Sequence, residues 1–261
     1  MALLWVLGIL FMAVAGPFFL SGKAQHMDFS HVLQAPSPEH IFGTDSLGRD
    51  LFSRVLCGSR VSLGVGVVAV SLALLIGTLI GALAGYYGGW RDRGLMALVD
   101  MMLCFPTFFL ILAVIAILGP SVFNIMLIIG VTSWMGTARL IRAQILSLKE
   151  REFILAARAL GAGDGYIILK HLIPNAAGPV IVNAILGISV AILVESGLSF
   201  LGIGVQPPTP SWGNILLDGK ATLGVAWWLT LFPGVMIFLT VLSTNVLGEE
   251  FQKHIQGARA K

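Results

Sequence analysis

Charged residues in this chain fall in clusters separated by long apolar runs, and the runs set the architecture. Met1 to Leu20 carries no charge, and neither does Val61 to Gly89. From Leu95 to Ala138 the only charge is Asp100, and Gly119-Pro120-Ser121 with Asn124 divides this run where a turn is needed. Asn175 to about Phe200, containing Glu195, and Ala226 to about Leu247 complete the series. A hydrocarbon core about 30 Å thick is crossed by roughly 20 apolar helical residues, and a charge near its centre costs about 2.5–3.5 kcal/mol. The pattern therefore predicts an all-α integral membrane protein with six transmembrane helices.

The 261 residues are 57% hydrophobic and 11% charged, which excludes a soluble domain and a disordered chain. Cys57 and Cys104 lie in a polar loop and an apolar run, so a structural disulfide between them is not expected. A net charge of +3 suggests nucleic acid only if the chain is soluble; here a few loops hold most of the basic residues, and no nucleic-acid partner is expected. Lys23, Arg49, Arg54, Arg60 and Lys220 fall on one face, and the other eleven of the sixteen basic residues fall on the face that holds the amino-terminus. The positive-inside rule then puts both termini in the cytoplasm. Ala13-Val14-Ala15 resembles a signal-peptide cleavage site, but no basic leader precedes the first run, which continues through Leu20. A retained helix is the expectation; the missing leader leaves open whether the amino-terminus is complete.

Three polar stretches carry the functional information. The first, Lys149 to Asn175, lies between the fourth and fifth spans on the cytoplasmic side. Glu150 to Leu160 suits a short helix, with Phe153, Ile154, Ala157 and Leu160 at helical spacing and Gly161 and Gly163 stopping it. Its apolar face must be covered, either by lipid and its own bundle or by a groove on a soluble partner. The second, Phe42 to Arg54, has Gly43 and Gly48 for tight turns, and Thr44, Asp45 and Ser46 to cap a helix beginning near Arg49. The third, Gly197 to Gly213, contains Pro207, Pro208 and Pro210 and reads as a stiff extended loop.

The first stretch resembles the type I permeases of ABC importers, whose cytoplasmic loop runs EAA, three residues, Gly, nine residues, I-x-L-P. Ala156, Ala157, Gly161 and Pro174 fall on that register, while Leu155 replaces the usual Glu and His171 the usual Ile. AARALGA followed by HLIPN is similar to the peptide and nickel branch, and GTDSLGRD over Gly43, Thr44, Asp45, Gly48, Arg49 and Asp50 resembles the C-type permease of dipeptide, oligopeptide and nickel importers. The resemblance implies an ATPase-coupling loop comprising Ala156, Ala157, Arg158, Gly161, Asp164, His171, Pro174 and Asn175. It also implies a homologous second permease, two ABC ATPase subunits that use ATP and Mg, and an extracytoplasmic substrate-binding protein. No cofactor is expected on this chain, which is not expected to be an enzyme. The segments are then 1–59, an amino-terminal span with its outer loop; 60–250, the transmembrane domain with its coupling helix between spans four and five; and 251–261, a cytoplasmic tail. The implied location is the bacterial plasma membrane. The implied cargo is peptide, with nickel or a metal chelate as the alternative.

Asp100 and Glu195 are the intramembrane carboxylates, and each is a candidate for the translocation pathway. Asp100 is also placed to pair with Arg93 near the interface, and Glu195 to be solvated at a helix end. Gly77, Gly81 and Gly85 mark a face for close helix approach, within the subunit or against a second permease. Trp227 and Trp228 read as interfacial anchors. His26, His31 and His40 share one outer loop at spacings that define no metal site and read as solvated. Gly161-Ala162-Gly163-Asp164 matches the GxGD string of intramembrane aspartyl proteases but lies in a charged loop without a Tyr-Asp partner string. HExxH, GxSxG and GxxxxGK[ST] are all missing from the sequence. An ion-coupled secondary transporter using Asp100 and Glu195, and a membrane scaffold or enzyme working through its outer loop, explain the polar cytoplasmic helix less well.

Overall fold

The computed structural model describes residues 1–259, and the regular elements among them are helices. They are α1 (Ala2–Gln25), α2 (Leu51–Tyr87), α3 (Gly89–Leu103), α4 (Thr107–Leu118), α5 (Val122–Val131), α6 (Trp134–Leu148), α7 (Glu152–Ala159), α8 (Asp164–Tyr166), α9 (Ile173–Phe200), α10 (Trp212–Lys220) and α11 (Trp228–Arg259). A turn of π-helix over Ile167–Leu172 joins α8 to α9. The expected tail begins as a continuation of α11; residues 260 and 261 lie outside the described residues.

Five stretches are long and apolar enough to cross a membrane, and the bent pair of α3 and α4 makes a sixth. That pair turns by 81° where Cys104, Phe105 and Pro106 interrupt it, because proline has no N–H to continue the helical ladder. The expected third span is thus a broken one. The fourth runs through α5 and α6 to Leu148, ten residues past the end of its charge-free run. The arginines that follow Ala138 do not stop it, since they lie on partners across the bundle. Arg142 grips Asp92 with two bonds of 2.5 and 2.6 Å, and Arg139 meets Asp100 at 2.6 Å.

The longest packing seam joins α2 and α6. A Cβ at Gly77 would stand 2.6 Å from Thr137 Cβ and 2.7 Å from the Trp134 carbonyl oxygen; at Gly81 it would run into the Ala138 carbonyl; at Gly85 it would stand 2.9 Å from the Arg142 carbonyl. One helix backbone lies directly on the other, as small residues permit inside a membrane. The glycine face is spent within the subunit. Gly130 of α5 makes the same kind of approach to the Ala69 carbonyl of α2, at 2.9 Å.

Replacing Gly77 by leucine will force overpacking of this seam, at a cost of about 1–3 kcal/mol. The thermal midpoint of the detergent-solubilised protein will fall, while Gly94→Ala, whose Cβ meets open space, will leave it unchanged.

Candidate functional site

Helix α7 is seated by one side chain. Ile154 is fully buried among Ile141, Ile145, Ile167 and Leu172, while Phe153, Leu155 and Leu160 are exposed, Leu160 to 88%. The apolar face expected from Phe153, Ile154, Ala157 and Leu160 is therefore divided: Ile154 and the half-buried Ala157 face the bundle, and Phe153 and Leu160 join Leu155 on the open side. The helix is two residues shorter at its start and one at its end than the pattern suggested.

Its carboxyl end is closed by a Schellman arrangement. Gly161 N donates to the Arg158 carbonyl at 2.9 Å and Ala162 N to the Ala157 carbonyl at 3.0 Å, with Gly161 at φ +83°. The Arg158 guanidinium lies over the Tyr86 ring, 5.3 Å from its centroid, and the Tyr86 hydroxyl donates to Asp164 Oδ1 at 2.6 Å. Tyr86 thereby ties both ends of the turn after α7 to the end of α2. Lys149 Nζ adds a bond to the Gly85 carbonyl at 3.3 Å. His171 stacks its ring near Tyr166 and Phe153 (5.4 and 6.4 Å), and its carbonyl accepts from Asn175 Nδ2 at 2.6 Å. Pro174 opens α9, where a missing N–H is harmless. Ala156, Arg158, Gly161 and Asp164 are all exposed and form one accessible patch with the turn that follows, whereas Ala157 is half-buried against the bundle.

At the opposite end of α2 the Gly43 to Asp50 string folds around a buried carboxylate. Gly43 and Gly48 take the positive φ angles that the turns require, +78° and +72°. Asp45, wholly buried, accepts from the Leu47 and Arg49 amides at 2.8 and 3.0 Å and from Arg49 Nε at 2.7 Å, and it also pairs with Arg54. Asp218 on α10 completes the group, 2.9 Å from Arg54 Nη1. Asp50, and not the Thr44 to Ser46 group, caps α2 by accepting from Ser53 N at 2.9 Å. Thr44 is buried instead, and its carbonyl accepts from Trp228 Nε1 at 3.0 Å. Trp228 is therefore a buried prop under the loop; only Trp227, 52% exposed, fits an interfacial anchor. His31 and His40 are partnered, with Asp28 at 2.8 Å and Asp50 at 3.0 Å.

Glu195 is neither solvated nor open to a cavity. It is fully buried near the end of α9, accepting from Ser62 of α2 at 3.0 Å and from Ser199 at 2.8 Å. Ser62 in turn accepts from Trp212 N at 3.2 Å, so the start of α10 is held between α2 and α9. The proline-rich segment before it is not extended: it folds into turns, pinned by Asn214 Nδ2 to the Val205 and Thr209 carbonyls at 3.2 and 2.7 Å. Asp100 pairs with Arg139, not Arg93, at an exposed site. Sequence reasoning missed Tyr86, Arg54, Asp218 and the serines. The four-residue spacing of Glu195 and Ser199 was a usable signal for one of them; the others are joined only by the fold.

Removing the positive partner of a buried pair leaves an uncompensated charge, a loss of about 3–5 kcal/mol. Arg54→Met will therefore lower the thermal midpoint far more than Arg54→Lys. Asp50 predicts a pH effect. Burial pushes its carboxyl up, but the bonds from Ser53 and His40 outweigh this and hold it below the usual carboxylate range. A depressed carboxylate contributes stability that is present above its unfolded value of about 3.9 and is lost as pH falls through the folded value. Protection of the amides over residues 43–53, measured against their intrinsic exchange rates, will fall on acidification below the ordinary carboxylate range, and Asp50→Asn will weaken that dependence.

The family model described as binding-protein-dependent transport system inner membrane component matches residues 77–257. The dipeptide transport system permease protein DppC of Alkalihalophilus pseudofirmus is 43% identical over 247 residues, covering 95% of this chain and 81% of that one. The glutathione transport system permease protein GsiD of Pectobacterium atrosepticum is 38% identical over 247 residues, covering 94% and 82%. Among solved structures, an amino acid ABC transporter aligns with TM-score 0.58 at 15% identity, over 78% of this chain and 94% of that one. An inward-facing MetNI methionine ABC transporter aligns with TM-score 0.54 at 17% identity, over 76% and 96%. These likenesses extend to the fold, and the sequence matches go further: the chain belongs to the family of binding-protein-dependent transport system inner membrane components, as a multi-pass permease subunit of an ABC importer.

Proposed function

We propose that this chain forms half of the translocation pathway of an ATP-driven peptide importer, paired with a homologous second permease and two ATPase subunits and supplied by an extracytoplasmic binding protein. Both termini and α7 face the cytoplasm of the bacterial cell, consistent with the excess of Arg and Lys on that side. ATP binding and hydrolysis belong to the partner subunits. Peptide is favoured over nickel by the dipeptide and glutathione permeases among its relatives.

The observation that carries the reading is the divided face of α7. Ile154 fixes the helix to the bundle, and Leu155, Leu160 and Arg158 offer an apolar and cationic knob to a groove on the ATPase. When the ATPases close on ATP, a pull on α7 passes through Ile154 to α6 and the start of α9, and through Arg158 and Tyr86 to α2. Those helices then reorient the cavity from inward to outward, where the binding protein releases its peptide.

Leu160→Asp alters only an exposed side chain, so the permease will fold. Its recovery of ATPase subunits in a mild-detergent pull-down will drop about tenfold or more, as for a buried hot spot. Gly161→Asp, which opposes the positive φ of the cap, will reduce recovery or uncouple ATP hydrolysis from uptake. Undiminished recovery with coupled hydrolysis in both variants would overturn the assignment of α7.

A further inference from the structure

Three cavities along α6 and α9 share lining residues in sequence. The first, of 160 Å³, lies among α2, α5, α6 and α9; the second, of 400 Å³, among α6, α9 and α11; the third, of 880 Å³, beside α6 and α7. Asn183 lines the first and second, and Gln144 lines the second and third. The three thus follow one another along α6 and α9 as a furrow in sections, from the middle of the bundle to the α7 end. Asn183 stands ten residues into α9, about 15 Å from its start at the helical rise.

The lining of this furrow has a distinct chemistry. Neither of its first two sections contains an ionisable residue, and their polar groups are amides and hydroxyls: Ser133, Thr137, Asn183, Gln144 and Gln252. Charge begins in the third section, with Glu150, Arg151 and Glu152. Asn183 Nδ2 donates to Thr137 Oγ1 at 3.0 Å, which orients the carboxamide and leaves Oδ1 without a donor among the described residues. Polar groups in a membrane span face a protein interior or a water-filled path, because hydrocarbon offers them nothing. Asp100 and Glu195 lie outside the furrow, one paired at the surface and the other sealed by serines.

We propose that this furrow is the chain's share of the substrate path, and that Asn183 and Gln144 recognise the main chain of the passing peptide. The inference rests on the peptide-importer reading above. A carboxamide both donates and accepts, so it matches the C=O and N–H that every peptide presents whatever its side chains. An uncharged wall holds neither terminus tightly, as transport requires: binding must permit entry without preventing exit. The side chains that differ between peptides then meet Gly136, beside which even a Cβ would find open space.

The test uses the assembled transporter with Cys57 and Cys104 replaced by serine. Asn183→Cys and Gln144→Cys, each as the single thiol, will react with a water-soluble, membrane-impermeant methanethiosulfonate, while Leu75→Cys and Phe238→Cys, exposed on the bundle outside the furrow, will not. In vesicles supplied with a uniformly ¹⁵N-labelled pool of di- to pentapeptides, Asn183→Leu will lose about fivefold to tenfold of uptake, the worth of one or two hydrogen bonds, and Asn183→Gln will retain most of it. Co-purification of the ATPases with Asn183→Leu reports that the variant folds and assembles. Asn183→Cys and Gln144→Cys variants that react in the isolated chain but not in the assembled transporter would make the furrow a contact with the second permease and overturn the proposal. Unchanged peptide uptake by Asn183→Leu would overturn it as well. Uptake of Ni²⁺ and not of peptides would overturn the main-chain recognition together with the substrate, and failure of the wild type to recover ATPases would overturn the importer reading itself.

Discussion

The direct contact of the α2 and α6 backbones is the constraint on which the remaining structure depends. Gly77, Gly81 and Gly85 bring α6 onto α2 so closely that its carbonyls and the Cβ atoms of Thr137, Ile141 and Ile145 lie against the α2 backbone, and α1, α3, α5 and α9 pack on that pair. Helix α2 spans 37 residues, about 55 Å at the helical rise, well beyond the hydrocarbon core of about 30 Å. It therefore reaches both ends of the molecule. At one end Tyr86 meets Asp164 and Arg158 next to α7; at the other, Asp50 caps it inside the folded loop that precedes it and Ser62 meets Glu195.

The charges divide accordingly. Buried ions at the amino-terminal end of α2 are matched within a small group, Asp45 with Arg49 and Arg54 and both arginines with Asp218, so the loop is a rigid cap and not a flexible connection. At the α7 end the ionic partners are more exposed and the apolar side chains are left open. One end of α2 is thus closed by matched ions and the other is bordered by open apolar side chains.

The sequence made the spans legible because the bilayer penalises charge so strongly that charge-free runs stand out. It also made the α7 segment legible, since Gly161 and the spacing of Ile154 and Ala157 are local signals. The helix expected to begin near Arg49 does begin at Leu51, but its continuity with the second span was hidden because Arg54 and Arg60 lie on it, and charges alone do not end a helix. Arg139 and Arg142 masked the end of α6 for the same reason, their partners Asp100 and Asp92 lying many residues away. Glu195 was read by its depth and not by its neighbours, and only the fold brings Ser62 to it. The sharp bend between α3 and α4 was visible as Pro106 but was outweighed by the apolar run on both sides.

The single buried side chain of α7 has a mechanical consequence. A helix seated by one deep isoleucine and held again where Arg158 lies over Tyr86 rests on two supports, so a load on its exposed side chains divides between α6 and α2 and the helix has no free axis to turn about.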